Sequence, residues 1–262
     1  MSLLADLTSG AVEDAEQRLA VRPLAAVERD AAERPPALDA ARLLARTELV
    51  HVIAEVKRAS PSRGDLATIP DPAHQASLYE TGGASAISVL TEGRRFKGSL
   101  DDLVEVKRRV GVPVLRKDFI ATPYQVAEAR AAGADMVLLI VAGLERRVLA
   151  ELFGLITEMG MTPLVEAHSS DEVAIASDLG APIIGINARD LTDFSLDANL
   201  FERLAPEIPD GTVRVAESAV HSPDDVVHYR RGGADVVLIG EALVTGDPVA
   251  SLRSFISATE GL

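Results

Sequence analysis

Eight short apolar segments recur along the chain, at 51–57, 85–90, 112–117, 135–140, 162–166, 182–187, 212–217 and 235–239. Between them lie charged stretches of helical pattern. Several of those end in the same punctuation. Gly82-Gly83-Ala84, Gly133-Ala134-Asp135, Gly180-Ala181-Pro182 and Gly232-Gly233-Ala234-Asp235 each stand just ahead of an apolar segment. Glycine there supplies the left-handed residue that ends a helix. Strands alternating with amphipathic helices imply right-handed βαβ units and a parallel sheet. Eight units close into a (β/α)8 barrel of about this length. An open doubly wound sheet would want Gly-x-Gly-x-x-Gly after its first strand, and none is present. The expected fold is α/β, a (β/α)8 TIM barrel over 48–262 with an N-terminal helical extension over 1–47.

Composition fits that barrel. Hydrophobic residues make up 47% of the 262 and aromatics only 3%, so the core must be aliphatic. Such a core suits strands covered on both faces. With no cysteine there is neither a disulfide framework nor thiolate chemistry. The formal charge of −14 argues against a nucleic-acid surface. An anionic substrate must then be drawn in by a local positive field. The start, Met1 to Asp6, does not read as a signal peptide. The longest apolar run, Met136 to Ala142, is too short to span a bilayer. A cytoplasmic protein is expected.

In the extension, Leu4, Leu7, Val12, Ala15 and Leu19 form a loose helical stripe, and Pro35-Pro36 breaks off a second helical region at Ala37–Leu44. Its expected role is packing rather than covering a site.

Chemistry concentrates at the carboxyl ends of the strands. The first strand ends Glu55-Val56-Lys57, and alternation puts Glu55 and Lys57 on one face, roughly 6–7 Å apart, with Val52, Ala54 and Val56 on the other. The third ends Leu115-Arg116-Lys117-Asp118-Phe119, the fifth Leu164-Val165-Glu166, the sixth Gly185-Ile186-Asn187-Ala188-Arg189-Asp190, and the seventh Ala216-Glu217-Ser218-Ala219. In a barrel these ends converge on one mouth, the catalytic face. Charged groups there are costly unless they work or pair.

Phosphate has its own place in many barrels, the loops after strands seven and eight. Here they are Glu217-Ser218-Ala219 and Ile239-Gly240-Glu241-Ala242. Backbone amides near Gly240 and the hydroxyl of Ser60 are suitable donors, each worth roughly 1.5–3 kcal/mol to a charged oxygen. Glu241 has the wrong sign and fits only if its carboxylate turns away. The five histidines show no metal spacing. His168 lies two after Glu166 and is positioned to share its face, although a solvated or structural role is the simpler expectation. Carboxylates alone can bind a divalent cation, but the adjacent lysines favour ion pairs.

The run Ile53 to Gly64, Lys117-Asp118-Phe119, Leu138-Leu139-Ile140-Val141, Leu164-Val165-Glu166, Gly185-Ile186-Asn187-Ala188-Arg189-Asp190-Leu191, Val215-Ala216-Glu217-Ser218 and Leu238-Ile239-Gly240 occur in that order. Together they resemble the indole-3-glycerol phosphate synthases of tryptophan biosynthesis, closely over about 48–250. The resemblance implies ring closure of 1-(2-carboxyphenylamino)-1-deoxyribulose 5-phosphate with loss of carbon dioxide and water, and no metal or organic cofactor. It implies Lys117 as the general acid at the ketone, and Lys57 as partner of the anthranilate carboxylate with a share in proton donation. Glu166 is then the base or proton shuttle, and Glu55 and Asn187 orient Lys57 and the sugar hydroxyls. Glu217 contacts the sugar hydroxyl region, with Arg189 beside it. Ser60, Ser218 and the Gly240 amides take the phosphate, while Phe96, Phe119, Leu138 and Leu238 wall the aromatic ring.

Two positions depart from the family pattern: Ala219 stands where glycine is usual and Glu241 where serine is common. The expected partner is a small anionic phosphosugar, with no nucleic acid or membrane, and the chain is expected to be a monomer or weak homo-oligomer. Two rivals remain from the residues. One is an isomerase resembling phosphoribosylanthranilate isomerase, disfavoured by two strand-end lysines and no cysteine. The other is a non-catalytic phosphosugar-binding barrel.

Overall fold

The computed structural model describes residues 3–61, 63–190 and 195–262. Met1, Ser2, Ser62 and Leu191, named above in the chain start and the motifs, lie outside them. Eight parallel strands close into a barrel: β1 (His51–Val56), β2 (Ala86–Leu90), β3 (Val114–Lys117), β4 (Met136–Ile140), β5 (Thr162–Ala167), β6 (Ile183–Asn187), β7 (Val213–Glu217) and β8 (Val236–Ile239). Each strand pairs with its sequence neighbours, and β8 closes on β1.

Several strands start one or two residues later than the apolar pattern suggests. Asp135 and Asp235 stand just ahead of two of them. Their buried carboxylates accept the backbone N–H of Val114 and of Arg214 and cap the closed end of the barrel, while their backbones bond to the neighbouring strands on both sides. A two-residue antiparallel ribbon, Ala59–Ser60 with Gly64–Asp65, forms part of the turn after β1.

The period-two alternation sorts the core into two layers. Ile53, Leu115, Met136, Leu164, Val215 and Leu238 pack in one buried cluster. Their neighbours Val52, Ala54, Val56, Val114, Val137 and Val165 pack in a second, against the helices. Those barrel helices are α4 (Pro72–Gly82), α5 (Leu100–Arg109), α6 (Pro123–Ala132), α7 (Arg146–Glu158), α8 (Ser170–Asp178), α9 (Leu200–Leu204), α10 (Pro223–Arg231) and α11 (Pro248–Ser257). Side chains of Asp71, Ser99, Thr122, Ser169 and Ser222 accept backbone N–H groups in the first turns of α4, α5, α6, α8 and α10, which sets where each helix begins.

Ahead of β1 come α1 (Leu3–Val21), α2 (Leu24–Ala32) and the short α3 (Ala40–Leu43). The buried face of α1 is Leu4, Leu7, Ala11 and Ala15. Val12 is only half-buried and Leu19 is exposed, because the i, i+3, i+7 stripe turns away from them. Pro23 starts α2, a break the apolar stripe did not reveal. Val27 and Ala31 of α2 pack with Tyr124, Ala127 and Ala131 of α6. Leu38 donates its N–H to Asp135 at the closed end, whereas Leu4, Leu7 and Ala11 share a cluster with Phe119, Leu138 and Ile140 near the mouth. The extension therefore runs the height of the barrel.

Candidate active site

Alternate strands of a barrel contribute to common layers. Here the odd strands each bring an ionisable group to the mouth: Glu55 on β1, Lys117 on β3, Glu166 on β5 and Glu217 on β7. All but Lys117 are buried to within a few per cent of full burial. The even elements leave room for them. A Cβ on Gly240, just after β8, would stand 2.7 Å from Glu55 Oε2 and 3.0 Å from Lys57 Nζ, so only glycine lets those two side chains lie where they do.

Two ion clusters result. Lys57 Nζ is 2.5 Å from Glu55 Oε2. Lys117 Nζ donates to Glu166 Oε2 at 3.2 Å and lies 3.1 Å from Glu217 Oε2. The second of these contacts has the distance of an ion pair without hydrogen-bond alignment, since both Glu217 oxygens lack a directed partner. Asn187 at the end of β6 donates Nδ2 to Glu166 Oε1 at 3.1 Å, while its Oδ1 accepts from Ser218 Oγ at 2.8 Å and from the N–H of Arg189 at 3.1 Å. Asn187 thus ties the carboxylate cluster to the loop after β7.

The two carboxylates respond oppositely to one shared ammonium. Burial pushes the Glu166 carboxyl up, but Lys117, His168 and the Asn187 hydrogen bond outweigh it and bring it down to about 2. Glu217 is pushed up to about 8, by burial first and by the charge of Glu166 next, with Lys117 opposing. Lys117 itself is raised: burial works against its charge, and Glu217, Glu166 and Glu55 overcome it. The cluster titrates as one coupled unit. Within it Glu166 is the group that ionises the more readily and Glu217 the one that keeps its proton the longer.

All sixteen residues singled out in the sequence line a single cavity at the mouth. Phe96 and Phe119 face each other across one wall, ring centroids 6.2 Å apart and tilted by 42°. Leu138 and Leu238 lie below them among the buried apolar residues of the barrel interior. Ser60, Ser218, Ala219, Gly240 and Glu241 line the same cavity. The Glu241 carboxylate pairs with Arg63 at 3.2 Å, which offsets its charge. Leu90, Ile140, Pro61, Val220 and His221 also line the cavity. Leu90 and Ile140 end β2 and β4 with no charge to mark them, and Pro61, Val220 and His221 lie in the loops after β1 and β7.

A larger cleft, about 1070 Å³, opens between the extension and α5–α6. On its floor Arg18, Glu128, Arg116 and Asp118 are already paired with one another. The smaller cavity holds the acid–base cluster.

Comparison with known proteins gives the family. The family model for indole-3-glycerol phosphate synthase matches residues 4–255. The chain belongs to the indole-3-glycerol phosphate synthase family. It is 67% identical to the indole-3-glycerol phosphate synthase of Leifsonia xyli subsp. xyli over 97% of this chain and 98% of that one. It is 52% identical to that of Beutenbergia cavernae over 98% and 96%. Among solved structures, an N-acetylmannosamine-6-phosphate 2-epimerase from Clostridium perfringens superposes with a TM-score of 0.59 at 17% identity, covering 73% of this chain and 86% of its own. That likeness speaks to the barrel alone. As an indole-3-glycerol phosphate synthase of tryptophan biosynthesis, the chain is a carbon–carbon carboxy-lyase that closes the indole ring. Among the described residues no helix is long and apolar enough to cross a membrane.

Proposed function

We propose that Lys117 is the general acid of the ring closure and Glu166 its base. The observation that carries this reading is the single ammonium held between two carboxylates whose pKa values are driven apart. Groups separated in this way at one site serve opposite proton-transfer roles. The aryl carbon attacks the ketone carbon, and the ketone oxygen gains charge that Lys117 stabilises and protonates. Carbon dioxide leaves and aromaticity returns. The new hydroxyl then departs as water while Glu166, ionised at neutral pH, takes a proton from the adjacent CH2. Glu217, whose carboxyl keeps its proton to higher pH than usual, donates a hydrogen bond to the sugar hydroxyl region.

Lys57, held by Glu55, faces the substrate carboxylate. Phe96, Phe119, Leu138 and Leu238 clasp the aromatic ring. Asn187 and Arg189 orient the middle of the substrate, and Ser60, Ser218, Ala219, Gly240 and Glu241 form the phosphate rim. The substrate is thereby an anionic phosphosugar bound by local cations in an acidic protein, and no nucleic acid is involved. We take the enzyme to work in the cytoplasm as a monomer or weak homo-oligomer, which light scattering on the purified protein tests.

The deciding experiment is Lys117→Ala. Turnover of 1-(2-carboxyphenylamino)-1-deoxyribulose 5-phosphate, followed by indole fluorescence, should fall roughly 100-fold or more with the fold intact, as for loss of a general acid. Near-normal turnover would remove Lys117 from the mechanism.

A further inference from the structure

Ring closure consumes a proton. Two protons reach the ketone oxygen before it leaves as water, one returns from the CH2 group, and the carboxylate departs as neutral carbon dioxide. One proton per turnover must therefore enter from solvent and recharge the acid. Lys117 is only 14% exposed in its side chain, and Glu166 beside it is 1% exposed.

His168 stands directly behind that pair. It follows β5 by one residue, and alternation turns it to the same face as Glu166. Its Nε2 is 3.5 Å from Glu166 Oε1 and its Nδ1 is 3.4 Å from Glu172 Oε2. Both ring nitrogens are buried and neither has a hydrogen-bond partner. Glu172, in the first turn of α8, is held in place by accepting the backbone N–H of His168 at 2.8 Å, and its side chain is 20% exposed. His168 is absent from the cavity lining, so it does not face the substrate. A continuous line thus runs from Lys117 through Glu166 and His168 to Glu172 and water. Each open gap is a few tenths of an ångström beyond a hydrogen bond, a distance that commonly tightens when substrate binds.

We infer that His168 relays the proton consumed in each turnover, from the Glu172 edge to Glu166 and on to Lys117. After Lys117 has protonated the ketone oxygen it is a neutral amine beside Glu166. The Nε2–H bond of His168 breaks and the proton passes to Glu166 Oε1. The carboxyl turns about Cγ–Cδ, passes that same proton to the Lys117 nitrogen, and is a carboxylate again. The neutral ring that remains keeps its proton on Nδ1; it turns to bring that nitrogen toward Glu166, and the bare nitrogen, now at the Glu172 edge, takes a proton from water there, with the Glu172 carboxylate steadying the imidazolium that re-forms. His168 acts on the substrate only through Glu166, so it is a positioning and relay residue, not a catalytic one. The charges that bear on it are Glu166 on its own segment, Glu172 on α8 and Glu217 on β7, with Lys117 beyond Glu166. Burial disfavours its protonated form, but these three carboxylates prevail and raise its pKa, so the imidazolium persists to higher pH than usual.

This rests on the acid–base assignment above, and the test separates the two. In His168→Gln and His168→Ala, kcat should fall roughly 10-fold, below the range for direct acid–base groups, while KM holds. The solvent deuterium isotope effect on kcat should rise, and added imidazole should restore part of the loss in His168→Ala. Glu172→Gln, at the wet end of the line, should shift the pH profile of kcat with a smaller loss. Should the His168 variants not fold, an unshifted pH profile in Glu172→Gln overturns the relay. Unchanged kcat, or a loss with neither imidazole rescue nor a larger isotope effect, overturns it too. If Lys117→Ala remains active, the underlying assignment has failed. If Lys117→Ala is inactive and His168→Gln behaves as wild type, only the relay has.

Discussion

A Cβ on Gly185 would stand 2.1 Å from Oε1 of Glu217. The two residues sit on adjacent strands, β6 and β7, and the missing side chain of one is the space occupied by the carboxyl of the other. In Gly185→Ala the carboxyl must move, and with it the partner that Lys117 holds at 3.1 Å. Overpacking of this kind costs about 1–3 kcal/mol. We expect Gly185→Ala to fold with reduced stability in urea and to lose roughly 10-fold or more in kcat, since a misplacement of about 1 Å in a catalytic set has effects of that order. Wild-type kcat in a folded variant would show that Glu217 can act from elsewhere.

Glu217 also makes a stability prediction with a definite sign. Its carboxyl titrates at 4.5 ordinarily and is pushed up to about 8 in the fold, by burial and then by Glu166 against the pull of Lys117. Between those values the folded chain keeps a proton that the unfolded chain has released, so stability falls as pH rises through the window. Glu217→Gln removes the group that titrates. The variant should melt close to wild type near pH 4.5 and above it by pH 8–9, while losing turnover. Thermal melts of both proteins across that range check it, and parallel melting curves at every pH would contradict the raised pKa.

The period-two pattern made much of this site readable. It placed Glu55 and Lys57 on the inner face and Val52, Ala54 and Val56 on the outer, as found. Counting strands then brought Lys117, Glu166, Asn187 and Glu217 to one mouth. What it could not give was pairing. Lys117 reaches past its strand neighbours to Glu166 and Glu217, contacts that depend on barrel shear and on the space left at Gly185. It did separate Arg116 from Lys117. They are adjacent and both basic, yet alternation sends one into the cavity and the other outward beneath α6. The break between α1 and α2 was missed because a helical stripe registers apolar period and not Pro23. Leu90 and Ile140 were missed because an apolar strand end carries no chemical label.

Arg116 has no measurable exposure although it carries a full charge. Its Nη2 donates to Asp118 at 2.9 Å, its Nε to Thr91 Oγ1 at 3.2 Å, and its Nη1 to the carbonyl of Gln125 at 2.7 Å. Glu128 lies 3.6 Å away and accepts in turn from Arg18 of α1. The network brackets Lys117 in the chain and ties the extension to the strand that bears it. Removing one member of a buried charge set typically costs about 3–5 kcal/mol, because the partners are left uncompensated. Arg116→Ala should lose that much in urea unfolding. Arg18→Ala, with a half-exposed side chain, should lose much less. Equal losses would mean that Arg116 is not the centre of the network.

Ala219 adopts φ +57 beside Ser218 at φ +68, two consecutive left-handed residues lining the cavity. For a residue with a Cβ that region costs roughly 1–2 kcal/mol, which glycine avoids. Glycine in turn loses more backbone entropy on folding, by about 0.4–1 kcal/mol. The balance leaves Ala219→Gly between neutral and about 1.6 kcal/mol more stable. The methyl group also lines the cavity where the phosphate is proposed to sit. Removing it should leave kcat unchanged, since Ala219 touches none of the acid–base groups, and should tighten binding of inorganic phosphate modestly. Calorimetric titration of both proteins with phosphate, alongside their melting temperatures, separates the two effects. A higher melting temperature with equal phosphate affinity would mean that the alanine strains the loop without crowding the anion.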